Sequence, residues 1–176
     1  MSLRKVTLAT AAAKLGVREE GSNSGEAVKI FQNAAGIKPG QPWCAAFVNW
    51  AAEQGAKQLG VLSPLEKVPL QGLVQSYVDY GIEHEWVVAY SNVLPGDLFC
   101  LFDVGLKRYA HIGFVESKVN NENAFMTVEG NSNDEGHREG VEVCCRKRKV
   151  KANTLFLRWT KVVETAPTKP PVVKKP

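Results

Sequence analysis

The chain has no apolar run able to cross a bilayer. The stretches around Val87–Ala89 and Leu98–Phe102 fall far short of the ~20 residues a spanning helix needs, so no membrane partner is expected. Its N-terminus, Met1-Ser-Leu-Arg-Lys5, lacks the apolar core and small-residue cleavage site of a secretory leader. Synthesis in the cytoplasm without a signal peptide is the expectation. Cysteine is too scarce for a disulfide scaffold, with four in 176 residues, and no C-x-x-C pair offers zinc-ligand spacing. A strong excess of one charge is also missing. Of the net charge of +4, the tail supplies three: Lys161, Lys169, Lys174 and Lys175 stand against Glu164 alone. Residues 1–160 are thus close to neutral and lack the basic stripe of a nucleic-acid binder. The one basic cluster, Arg146-Lys147-Arg148-Lys149, reads as a solvated strand face. The acidic stretch Asn131–Glu135 lacks the alternating ladder and closing Glu of an EF-hand, so no metal or cofactor is expected. There are no internal repeats.

What remains is an ordinary single-domain length with helices first and strands second. Residues 4–17 carry Leu8, Ala11, Ala12 and Leu15 at the spacing of one helix face. Asn23 or Ser24 is placed to cap a second helix running to about Ala35, with Ala27, Ile30, Phe31 and Ala34 inward. A third helix is predicted from Pro42 to about Gln54, with proline where a helix tolerates it best, and a fourth over 70–80, ending at Gly81. Beyond it the period becomes two. Strands are predicted at Trp86–Tyr90, Asp97–Asp103, Tyr109–Ser117, Ala124–Gly130, Val141–Val150 and Thr154–Trp159. The expected class is α+β, with N-terminal helices packed on a C-terminal antiparallel sheet of about six strands. Residues 161–176, rich in proline and lysine, read as a linker or disordered tail following a domain over 1–160.

Three separated stretches carry chemistry. In Pro42-Trp-Cys-Ala-Ala-Phe-Val48, Cys44 falls in the first turn of its helix, where unpaired N–H groups and the dipole favour a thiolate. Taken alone it reads more readily as a buried structural cysteine, as Cys100 is expected to be, and a partner is needed to reverse that reading. In Tyr109-Ala-His111-Ile-Gly113-Phe-Val115, alternation puts His111 and Gly113 on one face, and the missing side chain lets the nucleophile-bearing helix come close. His111 can take the thiol proton and return it to a leaving amine. In Thr127-Val-Glu129-Gly-Asn131, alternation brings a carboxylate and an amide out together, and either can accept the second imidazole N–H. His84 and His137 sit in polar turns and look solvated.

These motifs, with Pro95-Gly-Asp97 opening the first long strand and Arg158-Trp159 closing the last, resemble the CHAP family (cysteine, histidine-dependent amidohydrolase/peptidase), of the papain-like, NlpC/P60-like peptidases. The resemblance runs from about Val17 to Trp159 and implies Cys44 as nucleophile, His111 as base and acid, Glu129 as its orienter and Asn131 as a supporting polar residue. It further implies that the partner is bacterial peptidoglycan, cut either between muramic acid and L-alanine or within its peptides, as phage endolysins do. Trp43, Asn23 and Gln41 would line the substrate groove, with Gln41 a further oxyanion donor, and the protein would act on the wall as a monomer. Two other readings fit the same residues: a wall-binding module without activity, and a cysteine hydrolase of proteins or small amides.

Overall fold

A computed structural model describes residues 1–132 and 140–161. Four helices precede a six-stranded sheet: α1 (Leu3–Ala12), α2 (Glu26–Ala34), α3 (Cys44–Leu59) and α4 (Val74–Glu83), then β1 (Val87–Val88), β2 (Leu98–Asp103), β3 (Arg108–Val115), β4 (Ala124–Ser132), β5 (Glu142–Lys149) and β6 (Thr154–Leu157). Strand order is β1-β6-β2-β3-β4-β5, antiparallel throughout. The fold is α+β, consistent with the papain-like class. The proline- and lysine-rich tail from residue 162 onward, and His137, lie outside the described residues.

Helix α3 organises the layers. Every residue from Trp43 to Ala52 is buried, so the first part of the helix is enclosed on all sides, where the sequence suggested one inward face, while its end at Lys57, Gln58 and Leu59 is exposed. Its alanines let α1 and α2 approach on one side, while Phe47 meets Phe114 of the sheet edge-to-face at 6.5 Å and also packs against the rings of Phe31 and Trp43. Even-numbered β3 residues Ile112 and Phe114 join this main core. The opposite face of the sheet has a smaller core of Val93, Phe99, Val115, Phe125 and Phe156.

Several local expectations change. Helix α1 ends at Ala12, leaving Leu15 exposed. Gly25, and neither Asn23 nor Ser24, precedes α2, because the Ser24 hydroxyl donates instead to the Glu20 carbonyl and closes the loop. Ile30 is exposed; Val28, Phe31 and Gln32 form the inward face. Helix α3 begins two residues later than predicted and runs a turn further, to a left-handed Gly60. Gly81 lies inside α4, where its missing side chain makes room for Leu157.

The Pro95-Gly-Asp97 motif ties the two ends of the described chain together. Asp97 is fully buried, receives the Arg158 guanidinium at 2.8 and 3.2 Å and the Leu94 N–H at 2.8 Å, and lies 3.6 Å from Arg4. The Trp159 indole donates to the Gly96 carbonyl at 3.0 Å. Asp97→Ala leaves two cations without their shared acceptor and is expected to cost about 3–5 kcal/mol, read as a lowered urea midpoint at unchanged slope.

Candidate active site

Cys44 opens α3, and what precedes it holds it in place. Trp43 was expected to contact substrate. It is instead wholly buried, stacked on Phe31 with ring centroids 5.7 Å apart, and its indole donates to Glu19 at 3.1 Å. The Trp43 ring therefore fixes the first turn of the helix and is absent from the groove. The Cys44 sulfur lies 3.9 Å from the Ala110 carbonyl on β3. It gets there because the sheet parts locally. The β3–β4 ladder pairs only Phe114 with Val128 and Val115 with Thr127, and the first turn of α3 occupies the opening beyond. Gly130 on β4 admits it: a Cβ there would stand 2.6 Å from Phe47 and 2.8 Å from the Trp43 ring.

His111 sits on the far face of β3 from the main core, beside Phe99. Its Nε2 is 2.7 Å from Glu129 Oε2, which leaves Nδ1 for Cys44, on the same groove. Burial alone would pull the imidazole pKa down. The hydrogen bonds to Cys44 and Glu129, and the carboxylate charge, outweigh it and raise the value to about 9. Gly113 has a different purpose from the one expected. A Cβ there would meet the Phe99 ring at 2.8 Å and Glu129 Cγ at 3.1 Å, so the glycine makes room for the carboxylate and not for α3.

Glu129 is fully buried and surrounded by donors. Besides His111, it accepts from Thr127 Oγ1, from Ser132 Oγ at 2.9 Å, and from Arg148 through Nε to one oxygen and Nη2 to the other. Burial would raise its pKa; Arg148 and His111 together hold it well below the usual carboxylate range. Arg148 thus corrects the reading of residues 146–149 as a solvated face. Its side chain is only 19% exposed and lies over the Phe99 ring, 5.5 Å from its centre. A signal for it existed. Alternation along β5 turns Arg148 to the opposite face from the exposed Lys147 and Lys149, and a buried Glu129 requires a cation.

Asn131 does not reach the imidazole. It occupies a one-residue bulge between Glu129 and Ser132, at φ 52°, which breaks the alternation that put it on the Glu129 face. With its amide oriented to suit its neighbours, it accepts the Trp43 N–H at 3.1 Å and donates to the Gly140 carbonyl. It therefore ties β4 to the start of α3.

Cys44 and His111 line a groove of about 550 Å³, together with Asn23, Gln41 and Asn131. The loop before Cys44 forms one wall and residues 69–74 the other, with Ile37 packed on Gly72 where they meet. The Gln41 side-chain oxygen accepts from the Lys38 N–H at 3.1 Å. His84 stacks on Tyr80, away from the groove. Cys100 is buried and all four cysteines are free. Among the described residues no three His, Cys, Asp or Glu side chains are grouped to hold a metal ion, and no helix is long and apolar enough to cross a membrane.

No curated protein and no solved structure matches the chain. The profile of the CHAP domain does match, over residues 36–131, just over half of the chain's length. The matched stretch includes Cys44, His111, Glu129 and Asn131 and ends before Arg148. CHAP domains belong to the papain-like, NlpC/P60-like group of cysteine peptidases and imply an amidase- or peptidase-type hydrolase of the cell wall. With a nucleophile-bearing helix set against an antiparallel sheet, and the family's motifs in order along it, this chain belongs to the CHAP domain family.

Proposed function

We propose that this protein hydrolyses an amide bond in the peptide part of bacterial peptidoglycan, with Cys44 as nucleophile. The observation that carries the reading is the chain of contacts from the Cys44 sulfur through His111 to a buried, anionic Glu129 at the floor of an open groove. Glu129 holds the ring by Nε2–H, so Nδ1 faces the sulfur and exchanges its proton. The Cys44 thiolate attacks the amide carbonyl carbon. The resulting oxyanion is held by N–H groups of the first turn of α3, which have no partner within the helix, including that of Cys44 itself. As the C–N bond breaks, the His111 imidazolium gives its proton to the leaving amine. Neutral His111 then takes a proton from water, whose oxygen attacks the thioester carbonyl, and Cys44 leaves as the thiolate. Arg148 and the Thr127 and Ser132 hydroxyls act through Glu129, keeping it ionised and aimed.

Cys44→Ala is expected to lower release of soluble fragments from purified sacculi by more than ~10³-fold while leaving the melting temperature unchanged. Near-normal release by that variant rules out the mechanism. Mass spectrometry of the fragments separates an amidase, which leaves new lactyl ends, from an endopeptidase, which leaves new peptide amines; cleavage of casein but not sacculi points to a protein substrate instead.

The pH dependence has a definite sign. His111 must be protonated when the amine leaves, and its folded pKa of about 9 places the alkaline fall of kcat/KM near that pH. Glu129→Gln removes the charge that supports the imidazolium and should move this limb to lower pH; an unmoved limb excludes Glu129 as the orienter. Because the His111 pKa is raised on folding, its contribution to stability is complete below about 6.5 and is lost as pH rises through about 9. The Glu129 contribution runs the other way: it is complete above the ordinary carboxylate range and is lost as the solution becomes more acidic.

A further inference from the structure

The groove around Cys44 is built for negative charge. Among the described residues, Arg108 and His111 are the ionisable side chains besides Cys44 that line it, and no aspartate or glutamate does. Arg108 stands at the start of β3, half-buried, and its side chain makes no hydrogen bond or ion pair with any described residue. Its cross-strand neighbour Asp103 is turned instead to the Leu106 N–H, at 2.9 Å. A half-buried guanidinium without an anion, in a concave site, is an unmet demand for one.

The backbone adds to that demand. Two helices begin at the groove: α3 at Cys44, and α4, whose first residue Val74 and N-cap Leu73 line the opposite wall. Neither N-cap side chain makes a capping hydrogen bond, and neither first turn contains an acidic residue. Proteins usually place Ser, Asp or Glu at such ends to satisfy the N–H groups and the positive end of the dipole. Here both helices leave that place open on the same cavity. Helix α4 is also tied to Arg108's own strand, because the Gln75 side chain accepts the Tyr109 N–H at 2.9 Å.

We propose that the groove selects substrates bearing a carboxylate beside the scissile amide, and that Arg108 is the residue that binds it. This rests on the hydrolytic reading above and names the class of peptide the site takes: an acidic stem-peptide segment whose carboxylate is free, in preference to the same segment amidated. Arg108 presents two parallel N–H donors to the two carboxylate oxygens, which orients the peptide as well as holding it.

The test uses soluble stem-peptide fragments of peptidoglycan, half of them with their carboxylates converted to amides by carbodiimide and ammonia. Affinity is measured by titration calorimetry on the Cys44→Ala protein, with and without Arg108→Gln. The free-acid fragments are expected to bind ~10-fold or more tighter than the amidated ones, and Arg108→Gln should abolish the difference without weakening the amidated form or lowering the melting temperature. Equal affinity for both forms, binding of neither, or a preference that survives Arg108→Gln overturns the assignment. Turnover by the unsubstituted protein is followed in parallel. Carboxylate-selective binding with no cleavage of either form would sink the hydrolytic reading and leave the preference standing.

Discussion

A carboxylate with no access to water is the constraint from which the rest of this site follows. Moving such an ion out of solvent costs on the order of several kcal/mol, recovered only if its lone pairs are met by good donors. Glu129 meets five, from Arg148 twice, His111, Thr127 and Ser132, and these come from three strands. The requirement therefore aligns β3, β4 and β5 at one level of the sheet and sets where the imidazole must stand. A neutral amide in place of Glu129 would turn a hydrogen donor toward at least one of these groups, and the arrangement would lose both charge and fit.

The second constraint is how a helix on one face of a sheet reaches an imidazole on the other. The strands solve it by separating. The short β3–β4 ladder, Gly130 at the mouth of the opening and the bulge at Asn131 let α3 enter end-on, so that its first turn, and not its side, confronts His111. Trp43 wedges that turn from within the core and Asn131 holds its backbone from the strand side. Position is thus set in part by a ring sealed inside the core, away from the groove.

Much of this was legible in the sequence, and what was not has a common cause. Proline at 42 and the apolar run behind it mark the start of α3 within two residues, because capping is local. The facing of His111 and Glu129 follows from alternation within single strands. Arg148 was missed because it meets Glu129 only once β5 is registered on β4, where it stands opposite Phe125 and reaches diagonally across two rows. Register between strands joined through a loop is not written in either strand alone. Asn131 was misplaced because a single left-handed residue undoes the alternation. Trp43 misled for a different reason: an aromatic beside a nucleophile has the same spacing whether it faces a ligand or a core. The expectation for Gly113 had the right form but the wrong neighbour, since the space was kept for a side chain of the next strand.

The open sheet also leaves two rims, and both are treated in ways that bear on solubility. On one, β1 is two residues long, too short to template the addition of a foreign strand. On the other, the chain at residues 16–19 hydrogen-bonds the first part of β5 through Gly16, Val17 and Glu19, and the remainder displays exposed Lys147 and Lys149. A stranger strand docking there would bring its backbone against ammonium groups it could not desolvate cheaply. The basic stretch that supplies Arg148 inward thereby supplies gatekeepers outward, and one segment of chain both anchors a buried ion and discourages edge-to-edge aggregation.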